Sequence, residues 1–163
     1  ENTAIPGGTY ISGKKALKCT STDSLPIHQS GLTHDKEYMV AFWCKGGTPK
    51  FMSDGNPVTL TLAHIKGDWR YYQGKFTTTT GTVGLTTTGT PSSPFIYYID
   101  EMRIFPADAQ MQTWVYEPLF GVSSASDARG RITYYAYDKL GRLTVVSDQE
   151  GNILSQSTYT ISN

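Results

Sequence analysis

Three stretches of this chain repeat one pattern: Asp127-Ala128-Arg129-Gly130-Arg131-Ile132, Asp138-Lys139-Leu140-Gly141-Arg142-Leu143 and Asp148-Gln149-Glu150-Gly151-Asn152-Ile153. The shared text is D-x-x-G-[R/N]-[I/L], and the copies begin eleven and then ten residues apart. Asp bonds its side chain to the backbone amides of the turn that follows it, and Gly takes the positive φ needed to leave such a turn. The Ile or Leu two residues later opens the next strand. Each copy therefore marks a reversal of chain direction. Between copies, Thr133–Tyr137 and Thr144–Ser147 have the length and the β-branched or aromatic content of short strands. The region reads as a β-meander.

Working outward, Gln112–Pro118 and Gly121–Ser126 read as two further strands leading into the repeats. Pro106-Ala107-Asp108-Ala109-Gln110-Met111 breaks the pattern before them. Upstream, side-chain alternation marks Lys15–Ser21, Glu37–Lys45, Val58–His64, Trp69–Thr78, Thr82–Thr88 and Phe95–Phe105 as strands, each bounded by Gly, Pro, Asn or Asp. Such strands have one apolar face apiece and need a second sheet to cover it, which predicts a sandwich or barrel. Nothing reads as a long helix. The expected division is a sandwich over residues 1–110 and the meander over 111–163.

Composition agrees with an all-β chain. Among 163 residues there are 22 Thr, 11 Tyr and 16 Gly, with only 17% charged, a balance that favours strands joined by glycine turns over ion-paired surface helices. A chain of this length buries roughly two-thirds of its unfolded surface, so it needs neither metal nor disulfide merely to fold. Lys plus Arg equals Asp plus Glu at 14 each, leaving no positive excess for nucleic acid or an anionic membrane surface. No apolar stretch is long enough to span a bilayer, and Glu1-Asn2-Thr3 carries neither an initiator Met nor signal-peptide features, so the chain reads as a soluble fragment or mature product.

Tyr135-Ala136-Tyr137-Asp138-Lys139-Leu140-Gly141-Arg142-Leu143-Thr144-Val145-Val146-Ser147-Asp148 resembles the YD repeat, Y-x-Y-D-x-x-G-R-L-x-x-V-x-D, of Rhs-type bacterial surface or secreted proteins. The likeness covers roughly residues 112–158. It implies an extracellular or cell-surface setting, a longer parent chain, and an architectural role in which many repeats build a β-walled shell. Three turns cannot close such a shell, and no family-type autoproteolytic motif is present. Ser12–Leu17, Glu37–Trp43, Trp69–Phe76 and Tyr98–Ile104 are similar, in that order, to strands of jelly-roll carbohydrate-binding modules of the galactose-binding-like class. This second likeness implies a jelly-roll β-sandwich and a glycan or cell-surface polysaccharide as partner.

Alternation along Phe95–Phe105 places Asp100 on one face with Ile96, Tyr98, Met102 and Ile104. If that face is the core, the carboxylate must meet a cation or several backbone amides. The jelly-roll resemblance implies that Asp100 ligates a structural calcium ion, completed by carbonyls near the first strand. The other readings are an Asp bonded to amides of the N-terminal loop, or a reversed face. For sugars, the requirement is exposed flat rings that stack on C–H faces. Parity proposes Trp43, Tyr71 and Tyr97 as ligand-binding residues on the side away from the core, whereas Trp69 reads as packing.

Catalysis has little support in the text. His28, His34 and His64 are scattered, no G-x-S-x-G or HExxH occurs, and Asp100-Glu101 are adjacent on a strand and so face opposite ways. Cys19 and Cys44 both look inward and read as small buried hydrophobes rather than a disulfide. Thr77–Thr80 and Thr86–Thr88 read as solvated strand faces, and no N-x-[S/T] acceptor occurs. The leading expectation is a non-catalytic, glycan-binding module. The alternative is a structural spacer or cap whose parent acts elsewhere, and the unpaired edges of a short meander predict an edge-strand homodimer.

Overall fold

The computed structural model of the protein describes residues 10–20, 27–87 and 96–160, and their regular structure is all β. Ser21, Thr88 and Phe95, the outermost residues of three expected strands, lie outside the described residues. The chain separates into two compact units between Gln110 and Met111. Ser12–Lys14 group with the second unit, although the sequence reading set them in the first.

The first unit is a two-layered sandwich. One sheet contains β1 (Leu17–Thr20), β3 (Glu37–Lys45), β6 (Thr61–Lys66), β7 (Trp69–Thr77) and β9 (Ile96–Pro106), in the order β1-β9-β3-β7-β6. The other contains β2 (Ile27–Gln29), β4 (Pro49–Ser53), β5 (Asn56–Val58) and β8 (Val83–Thr87), in the order β2-β8-β4-β5. All pairings are antiparallel. Val40, Phe42 and Cys44 of β3 meet Phe51, Val83 and Leu85 of the facing sheet, with Phe76, Tyr97 and Ile99 completing the core.

Two local features explain where alternation misleads. The expected strand Val58–His64 is split: β5 ends at Val58 in one sheet, and β6 begins at Thr61 in the other. The corner at Thr59-Leu60 passes so close to β7 that a Cβ on Gly74 would lie 2.6 Å from the Thr59 carbonyl oxygen, so only glycine fits there. β2 and β4 were not expected, because β2 has three residues and β4 opens on Pro49, which reads as turn chemistry.

The second unit is a five-stranded sheet in strict chain order: β10 (Thr113–Glu117), β11 (Gly121–Ser126), β12 (Ile132–Tyr137), β13 (Leu143–Ser147) and β14 (Ile153–Gln156). The three repeats form its last three turns with one geometry. In each, the Gly amide donates to the Asp carbonyl at 3.0–3.1 Å, and Gly130, Gly141 and Gly151 have φ of 79°, 77° and 90°. This is a type I turn followed by a left-handed glycine, a three-residue hairpin loop.

Candidate functional site

The repeat turns account for most of the acidic side chains of the meander. Asp127 Oδ1 accepts the amides of Arg129 and Arg131, and its Oδ2 accepts Arg131 Nε, each at 2.9 Å. Asp138 repeats the arrangement with Leu140 and Arg142. Asp148 does so with Glu150 and Asn152, the Asn152 side-chain amide standing in for the guanidinium. Burial works against the Asp127 anion, but the Arg131 amide and guanidinium outweigh it and hold the carboxyl below its ordinary pKa. The Arg142 amide does the same for Asp138, and the Asn152 side chain for Asp148. These carboxylates are turn anchors, each complete within five residues of chain.

In the sandwich the comparable anchor works at long range. Asp54, at φ 50° in the turn between β4 and β5, accepts the Thr78 hydroxyl at 2.7 Å and the amides of Thr79 and Thr80 at 2.6 and 3.1 Å. The hydroxyls of Thr79 and Thr80 also donate to it. The Thr80 hydroxyl, then the Thr79 amide and the Thr78 hydroxyl, hold its carboxyl far below the usual carboxylate range. The expected solvated strand face at Thr77–Thr80 is exposed at Thr77, Thr79 and Thr80 but is corrected as a strand. Only Thr77 ends a strand, Thr78 is fully buried, and the next residues wrap a carboxylate. Nothing in the sequence ties Asp54 to a Thr run 24 residues away.

The aromatic residues chosen as sugar platforms are inside. Trp43, Tyr71 and Tyr97 each have 0% of their surface exposed, so none offers a face to a sugar as the structure stands. For Trp43 and Tyr71 the parity was right: they pair across β3 and β7 on the side away from the sandwich core, with ring centroids 5.2 Å apart. That side is buried as well, with Ala41 and Trp69 at 2% and 1% exposure. Arg103, which the sequence reading overlooked, lies there at 3% exposure, its Nη2 3.4 Å from the Tyr71 hydroxyl. For Tyr97 the parity itself was wrong, because Tyr97 belongs to the sandwich core.

The cause is a β-bulge. Trp43 pairs with Asp100 and Ala41 with Arg103, so Glu101 and Met102 together oppose Phe42. Glu101 takes φ 51°, a left-handed conformation that costs a non-glycine residue about 1–2 kcal/mol. Before the bulge the core residues are Tyr97 and Ile99, and after it they are Met102 and Ile104. Strict alternation through residue 101 therefore grouped Asp100 with the wrong neighbours. Asp100 faces away from the core, half-buried. Its Oδ1 accepts the Glu101 amide and its Oδ2 the Ile11 amide, both at 2.8 Å. One bond fastens the bulge, and the other holds the incoming chain 89 residues away in sequence.

Of the readings of Asp100, the bond to Ile11 is that to an N-terminal loop amide, and its facing away from the core is the reversed face. A calcium ion would need about six or seven oxygens. No group of three or more His, Cys, Asp or Glu side chains able to hold a metal occurs among the described residues. Beside the bulge runs an open groove of about 650 Å³, with Ile27, Met102 and Ile104 in its wall and Lys15, His28 and Glu101 among its polar residues. His64 packs its ring 5.7 Å from Tyr71, and His28 and His34 are exposed.

Cys19 and Cys44 are buried and form no disulfide. Cys19 pairs with Tyr97 and Cys44 with Ile99, so β9 lies between them. Two strand spacings, roughly 10 Å, exceed the reach of a disulfide. Burial, with the Cys19 thiol nearby, pushes the Cys44 thiol up to about 12 against a weaker opposing pull from Arg70. Its Sγ donates to the Gly46 carbonyl at 3.2 Å. Compared with known proteins, the chain matches no family model and no curated protein.

Proposed function

We propose that this chain is a non-catalytic architectural module of a larger extracellular or cell-surface protein of the YD/Rhs-repeat kind, with a jelly-roll-like sandwich serving as spacer or cap and a repeat meander as its mount. The observation that carries this reading is where the recognition-capable side chains are. Trp43, Tyr71 and Tyr97 are wholly buried. Asp54, Asp100, Asp127, Asp138 and Asp148 all accept backbone amides that fix turns, a bulge or an incoming chain. The repeated Asp turns supply the resemblance on which the parent class rests. The test is a glycan array probed with the purified chain. No reproducible binder is expected, and a specific hit would sink the architectural reading.

Glycan or cell-surface polysaccharide binding by the sandwich is the second reading, favoured by the groove beside Glu101 and not by the aromatic residues. Its apolar wall and its mixed polar residues have the character of a small-ligand cleft, and its volume falls in the usual range. An array hit abolished by Glu101→Ala together with Lys15→Ala would place that binding in the groove.

A further inference from the structure

Asp54-Gly55 is the only place in the sequence where Asp or Asn precedes Gly. This dipeptide is unusually open to rearrangement, because glycine has no Cβ to hinder attack by its amide nitrogen on the side chain before it. The attack bonds the Gly55 nitrogen to the Asp54 carboxyl carbon, and the carboxyl oxygen leaves with the amide proton as one water. A five-membered imide results. Water then reopens either carbonyl: one side restores Asp54, and the other routes the backbone through the side chain, leaving an isoaspartyl residue one methylene longer.

The fold holds the reacting atoms apart. Asp54 and Gly55 are the central residues of a hairpin turn closed by the Ser53–Asn56 pair, and their φ values of 50° and 78° make it type I′. In that turn type ψ of the first central residue sets its Cβ nearly opposite the next nitrogen, so the turn must unwind before the ring can close. Both carboxylate oxygens are engaged elsewhere, by three hydroxyls and two amides of Thr78, Thr79 and Thr80. These donors also keep the carboxyl ionised, and the anion lacks the proton with which its oxygen would depart as water.

We propose that Asp54-Gly55 is a latent isoaspartate-forming site and that the threonine run 78–80 is the latch that keeps it shut in the folded sandwich. Release has a lasting result. The added methylene lengthens a loop that fits only two residues, and the carboxylate left behind sits one carbon closer to the backbone, short of the threonines. β5, at the edge of its sheet, then loses the turn that joins it to β4. A single opening of the turn becomes a covalent record.

Ageing the whole protein in warm neutral buffer tests this, with isoaspartate counted by enzymatic methylation of the new carboxylate and located by peptide mass spectrometry. The folded wild type is expected to form it at residue 54 at less than about a tenth of the rate of the same protein in guanidinium chloride. Thr79→Val together with Thr80→Val removes two hydroxyl donors at exposed positions and is expected to raise the folded rate about tenfold. Thr80→Val alone, a milder change, gives a smaller rise. Equal wild-type rates with and without denaturant would overturn the proposal. So would an unchanged rate in either variant while its thermal transition matches the wild type, or isoaspartate gathering at other positions ahead of residue 54.

Discussion

The sandwich and the meander hold their carboxylates in opposite ways. In the meander, Asp127, Asp138 and Asp148 bond to groups two and four residues ahead, and each turn is finished by residues the chain has only just laid down. In the sandwich, Asp54 reaches 24 to 26 residues and Asp100 reaches 89. The strand orders tell the same story: the meander is sequential, whereas β9 comes late in the chain and sits between β1 and β3. One region is written locally and can be read locally. The other is a set of agreements between distant segments.

The difference is open to attack from several sides, and the largest effect belongs to the distant agreements. Trp43→Ala empties a wholly buried site on β3 and is expected to cost the sandwich about 3–5 kcal/mol in denaturant unfolding, while amide exchange in β11 to β13 stays unchanged. A loss below about 1 kcal/mol would mean that the buried face is loosely packed. Asp127→Ala removes three hydrogen bonds from one turn and is expected to cost about 1–2 kcal/mol, with faster exchange confined to residues 129 to 132. Spread of that effect into the Asp148 turn would show the repeats to be coupled.

Acid sharpens the comparison further. Asp54, Asp127, Asp138 and Asp148 all have depressed pKa values when folded. Their unfolded counterparts take up protons near pH ~3.9, so the folded state binds fewer protons below that point. The stabilisation is complete above about pH 4 and drains away as pH falls toward the folded values. Asp54, the most depressed of the four, should hold its threonine loop longest. Chemical shifts of the Thr79 and Thr80 amides, followed from pH 5 to pH 2, check the order, and loosening there ahead of the repeat turns would reverse it. The smallest effect is a negative one: with its thiol pushed up to about 12, Cys44 should resist a thiol reagent at pH 8 until the sandwich unfolds. Rapid labelling of the native chain would show that β3 opens locally.

Legibility followed the same divide. Glu37–Lys45 and Gly121–Ser126 coincide with β3 and β11 residue for residue, because a long alternating run and a glycine-initiated strand each declare themselves locally. The repeat turns were legible because Asp and Gly act within four residues. Glu101 was not legible. Nothing in a lone Glu announces a left-handed bulge, and that one residue reversed the facing of Tyr97 and of everything read relative to it. Trp43 and Tyr71 show a second limit: alternation tells which side of a sheet a ring takes, never whether that side is covered. Arg103 was missed for the same reason, since a buried guanidinium follows from what surrounds it and not from its neighbours in sequence.

The strict up-and-down order of the meander has a consequence for how such a chain can change its length. Each repeat turns the backbone through a half circle, so losing or gaining one unit would deliver whatever follows to the opposite end of the sheet. Losing or gaining two would return it to where it started. Copy number is thus free to vary in pairs without re-aiming a downstream partner, whereas an odd change would misdirect it.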